Sequence, residues 1–140
     1  MSARRLKRAL SDSDAEVPPH AEDLGNTIAQ AFVSGQIADV WGMSTAAFRQ
    51  RTPREAFVER WSEAIAERGG VTAFEVSNAG NIDLQYVPGL EDVPQSQFVA
   101  FIEIVFASPN VPLESEKAFG VGAVLLFDDG QLRIGAIHVR

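Results

Sequence analysis

The segment Phe98-Val-Ala-Phe-Ile-Glu-Ile-Val-Phe106 is nine residues long and apolar except for Glu103. A strand with one wet face alternates apolar and polar residues; this one does not, so it reads as a central strand covered on both faces. Phe98, Ala100, Ile102, Ile104 and Phe106 point one way, and Val99, Phe101, Glu103 and Val105 the other. Such a strand needs helices on one side, and it sets one carboxylate in an apolar layer.

Downstream, Pro109-Asn-Val-Pro112 breaks the chain, Ser115–Asp128 reads as a long strand and Gln131–Arg140 as the last one. Asp129-Gly130 between them is a two-residue hairpin signal. An unbroken hairpin about that turn puts Phe127 opposite Leu132, Leu125 opposite Ile134, Ala123 opposite Ala136 and Val121 opposite His138. This bulky face suits a cover of helices. The other face carries Gly120, Gly122, Val124, Leu126, Gly135 and Ile137. No remaining segment looks long enough to cover it, so a second copy of the chain is expected there, through Gly122, Val124 and Ile137. Gly120, Gly122 and Gly135 also read as bends of a curved sheet.

Upstream, the pattern changes period. Val71–Asn78 and Asn81–Val87 alternate about the turn Asn78-Ala-Gly-Asn81, which predicts a hairpin, followed by a loop from Pro88 to Ser96. Before Gly69-Gly70 the spacing is helical. Thr52-Pro-Arg-Glu55 is a capping box ahead of a helix with Phe57, Trp61, Ala64 and Ile65 on one stripe. Glu55, Glu59, Glu63 and Glu67 make its solvated strip. Leu24, Ile28, Ala31 and Phe32 form the stripe of a helix from about His20 to Ser34, which Gly35 stops. A short helix follows at Ile37–Met43, and Ser44 or Thr45 caps a further turn. The expected fold class is α+β: three N-terminal helices on a strongly curved antiparallel sheet of about five strands.

Length and composition fit one domain, expected over residues 19–140 behind a flexible tail at 1–18. With no cysteine, disulfides and thiolate chemistry are excluded. No apolar run reaches the roughly 20 residues that span a bilayer, and no apolar stretch follows the basic Arg4, Arg5, Lys7 and Arg8, so a cytoplasmic location is expected and no membrane partner. The net charge is −7 even with that basic head, which argues against a nucleic-acid surface.

Phe32-Val-Ser-Gly-Gln-Ile-Ala-Asp-Val-Trp41, Ser44, Thr52-Pro-Arg-Glu-Ala-Phe57, Trp61 and Gly69-Gly70 before the strands resemble the cystatin-like cone fold of the nuclear-transport-factor-like superfamily, over roughly residues 20–140. The resemblance includes ketosteroid-isomerase-like and SnoaL-like proteins and small bacterial domains of unknown function. It implies helices closed over the concave sheet face and a dimer through the convex one. It also implies acid–base groups inside the cone in the enzymatic members. Here the first helix offers no tyrosine, and their His-Asp pairing has no counterpart on the first or third helix.

The preferred function is a homodimeric, non-enzymatic binding or interaction module. Its apolar pocket, between helices and sheet, would hold a small apolar ligand. Trp41, Phe57, Trp61, Tyr86 and Val121 would line it, the two tryptophans reading first as core. The alternative is a cofactor-independent acid–base enzyme, an isomerase, cyclase or dehydratase, with Glu103 and His138 as its groups. Buried, Glu103 would titrate high; paired with an arginine, it would be structural. His138 is either a base in the cavity or a hydrogen-bonded rim residue. Asp39 and Asp83 read first as solvated. Two histidines in distant segments make no metal site, and no cofactor motif is present.

Overall fold

The computed structural model describes residues 18–140; the tail expected over residues 1–18 lies outside them except for Pro18. Among the described residues four helices precede a sheet: α1 Pro19–Ser34, α2 Ile37–Gly42, α3 Ala46–Arg51 and α4 Arg54–Ala66. The strands are β1 Ala73–Gly80, β2 Phe98–Ala107, β3 Phe119–Asp128 and β4 Gln131–Val139. They form one open antiparallel sheet in the order β1-β2-β3-β4. The fold class is α+β, with four helices and four strands among the described residues against the expected three and about five.

The helix ends follow the local chemistry. Gly35 adopts φ 76° and closes α1, with the Gln36 amide donating to the Ala31 carbonyl. Thr45 Oγ1 accepts from the Phe48 amide at 3.1 Å and caps α3, the turn expected after Ser44 or Thr45, here a six-residue helix. The expected capping box at Thr52 does not form. Pro53 is the N-cap of α4 with no side-chain cap, and the Thr52 carbonyl instead accepts from the Trp41 indole at 2.8 Å.

All four helices lie on one sheet face. Ile28 and Phe32 of α1, Val40, Phe48, Phe57 and Trp61 meet Ala100, Ile102, Ile104, Phe106, Phe119, Val121, Ala123, Leu125 and Ile134 in one buried cluster. Phe32 stacks on Phe106 at 5.4 Å between ring centroids and tilts against Trp61 at the same distance. At Gly25 helix α1 comes so close to the sheet that a Cβ would stand 2.9 Å from Val76 Cγ1. Glycine is required there by contact, not by backbone angle.

The other face, expected to be open, is half closed by the chain itself. No strand forms over Asn81–Val87. Leu84–Tyr86 is a 3₁₀ turn, and the amides of Val87, Leu90 and Val93 donate to the carbonyls of Leu84, Val87 and Leu90 in turn. Each step advances three residues, so Leu84, Val87, Leu90 and Val93 fall on one side. That side packs on Phe101, Val124, Leu126, Phe98 and Ala136. The Asp83 carboxylate accepts from the Gln85 amide, and the Gln95 side-chain oxygen accepts from the Leu84 amide. These local bonds replace a strand ladder. Val124 is consequently fully buried within one chain, Gly122 is buried too, and Ile137 packs half-buried against the helix-side core. Of the three residues expected to form a dimer surface, Gly122 and Val124 are buried within the single chain and Ile137 is half-buried.

Two bulges correct the expected registers. Across β2–β3, Phe98 faces Leu126 but Ala100 faces Leu125. The alternation read along β2 holds from Ala100 to Phe106 and inverts at Phe98 and Val99. Across β3–β4, Asp129 (φ 52°) and Gly130 (φ 76°) make the expected turn, and Phe127↔Leu132 and Leu125↔Ile134 pair as expected. Gly135 then bulges out, so Val124 meets Ala136 and Gly122 meets His138. His138 therefore lies on the face away from the helices, not beside Val121. Strand β3 also begins four residues later than expected, because Ser115–Ala118 folds as a turn with Ser115 Oγ accepting from the Lys117 amide.

Candidate functional site

Among the described residues, one place that bears chemistry is the half of the outer face that the 81–97 loop leaves uncovered. The pairings Ser77↔Glu103, Glu103↔Gly122 and Gly122↔His138 set these four residues in one row across the sheet. Glu103 and His138 thus share a face, two strand spacings or about 10 Å apart at their backbones. Gly122 between them has no side chain, and the space is taken from the neighbouring strand: a Cβ on Gly122 would stand 2.8 Å from Arg140 Cδ and 3.0 Å from His138 Nε2.

Arg140 fills the interval. Its guanidinium lies 5.0 Å from the Phe101 ring centroid, and its Nε approaches Glu103 Oε2 at 3.5 Å. His138 tilts over the same Phe101 ring at 6.0 Å. Of the two expected roles of Glu103, the structure has the arginine-paired one, with the side chain half-buried. Being partly wet, this pair contributes on the order of 1 kcal/mol or less. Sequence reasoning set Phe101 on the face of Glu103 but missed Arg140, because only the Gly135 bulge turns the end of β4 toward them. Beyond Arg140 opens a polar cleft of about 680 Å³ that includes Glu75, Glu103, Val105, Leu113, Glu116 and Gly120.

Partial burial, and after it the Arg140 charge, hold the His138 imidazole below the ordinary histidine value of 6.5. The folded chain thus releases a proton that the unfolded chain keeps. This contribution is complete above pH 6.5 and is lost as pH falls from there through the depressed native value. Acidification from pH 7.5 to 5 should lower the urea midpoint more in the native chain than in His138→Gln. The difference will be small because His138 is only partly buried and solvent screens it. Equal losses in the two would contradict the assignment.

A second place is an apolar groove of about 430 Å³ between the start of α1 and the hairpin end of the sheet. Ala21 and Leu24 form one wall, Val99, Phe127 and Leu132 the floor, and Pro18, His20 and Gln131 the mouth. Val99 reaches it only because of the β2 bulge. Phe127 is 56% exposed here, one of the few large apolar side chains left open.

The residues expected to line a pocket divide otherwise. Phe57, Trp61 and Val121 are buried in the helix-side core, with Trp61 ringed by Phe32, Phe57 and Phe119 at 5.4 to 6.4 Å. Trp41 is half-buried beside them. Tyr86 does not join them: it stands on the 3₁₀ turn, 78% exposed. Asp39 and Asp83 are exposed. Among the described residues no group of three or more histidines, cysteines or carboxylates could hold a metal ion, and no helix is long and apolar enough to cross a membrane.

No protein-family model, curated protein or solved structure matches the chain.

Proposed function

We propose that the chain is a non-enzymatic binding module that takes a small apolar ligand, or the apolar part of a larger one, in the groove between α1 and the sheet. The observation that carries this reading is Phe127. A phenylalanine more than half exposed, on a floor shared with Val99 and Leu132 and under Leu24, is a surface that water solvates poorly. At about 430 Å³ the space falls in the size range of small-molecule sites. The neutral probe N-phenyl-1-naphthylamine should brighten on titration with the protein, and Phe127→Asp should abolish the signal while leaving the far-ultraviolet circular dichroism unchanged. Equal brightening with both proteins would sink this reading.

The acid–base alternative has one observation in its favour, the common face of Glu103 and His138. Against it stands Arg140, which occupies the interval where a substrate would have to lie and already engages the carboxylate. Proton transfer between a substrate and both groups would require the guanidinium to leave Phe101.

A further inference from the structure

The groove starts where the undescribed segment ends: Pro18 is part of its mouth. We propose that residues 1–17 of the same chain occupy this groove when it holds no ligand, so that the N-terminal segment competes with ligand for the site. The inference rests on the groove being a binding site and names its regulator.

Chemistry and reach support this occupant. The segment carries Leu6 and Leu10, spaced four apart, a separation that puts both on one side of any helical turn formed on docking. They sit among Arg4, Arg5, Lys7 and Arg8. The groove offers these leucines a complement, an apolar floor at Phe127 and Leu132. Seven residues lie between Leu10 and Pro18, enough chain to span about 27 Å, so both leucines can fold back onto the groove.

The full chain and its Leu6→Asp/Leu10→Asp variant are titrated with N-phenyl-1-naphthylamine. If the segment fills the groove in nine molecules of ten, the variant should bind the probe about tenfold tighter. Equal, measurable affinity in both proteins would overturn the competition and leave the groove's binding role standing. No probe binding to either would remove the groove reading itself, and this inference with it. A second measurement places p-benzoylphenylalanine at position 127 of the full chain and irradiates it. A crosslink to a peptide from residues 1–17 at monomer mass is the expected result. The same peptide at dimer mass would replace the chain's own segment with that of a second copy, and crosslinks that exclude the segment would overturn the proposal.

Discussion

Val124→Arg should leave no folded protein at neutral pH. Val124 has no exposed surface, lying between the sheet and the loop side chains Leu84, Val87 and Leu90. A guanidinium there would have to lose its water without gaining a partner, or else push the 81–97 loop off the sheet. An uncompensated buried charge costs about 4 kcal/mol or more, comparable to the whole stability of many domains. Circular dichroism and urea unfolding should show an unfolded or aggregated chain. The matched control is Phe127→Arg, on the same strand but at an exposed site, which should unfold near the native midpoint. A soluble, folded Val124→Arg monomer is the outcome expected of an open dimer face. It would mean that the loop does not cover the sheet.

The second large effect belongs to Gly135. A Cβ at this position would stand 2.5 Å from Leu126 Cδ1 and 2.8 Å from its Cγ, and Leu126 is 2% exposed, with Leu90 close behind it. Neither leucine has free space to move into. Gly135→Ala should therefore cost about 1–3 kcal/mol, as overpacking of a filled core does. Leu126→Ala alone should cost about 2–5 kcal/mol by leaving a cavity. The double variant should lose clearly less than the sum, because each change relieves the defect of the other; a coupling of about 1 kcal/mol or more is expected in a double-mutant cycle. Strict additivity would mean that the bulge does not sit under Leu126. The bulge also carries the site geometry, since an unbulged hairpin would return His138 to the face of Val121.

What could be read from the residues follows from which forces leave a pattern. Strand β2 was legible because burial on both faces makes a continuous apolar run, and Asp129-Gly130 because a tight turn demands positive φ at both positions. From that turn the pairing was right as far as Leu125↔Ile134. It failed at the next residue because Ile134-Gly-Ala-Ile137 is apolar throughout, so a slip of one residue changes no polarity. The one signal was Gly135 itself, read as a bend. The 81–97 loop was misread because Ile82, Leu84 and Tyr86 alternate as a strand would. The competing signal was there in Leu84, Val87, Leu90 and Val93, spaced by three and interrupted by Pro88 and Gly89, which a strand does not tolerate. The pairing of Glu103 with Arg140 was open as an alternative in the sequence, but its partner depended on the bulge. The apolar groove was not legible, because a second bulge turns Val99 toward the helices and no local pattern announces it.

The backbone around Ile134 has a consequence for association between molecules. The Ile134 amide donates to the Met43 carbonyl, and its own carbonyl accepts from the Thr45 amide. Both groups that the middle of β4 would offer to an incoming strand are already taken. A second molecule cannot add its edge along the length of β4, because the ladder would break at its fourth residue. The opposite edge, β1, is interrupted near its end, where pairing shifts between Asn78 and Gly80. The β4 margin is thus guarded against the edge-to-edge stacking that seeds fibrils.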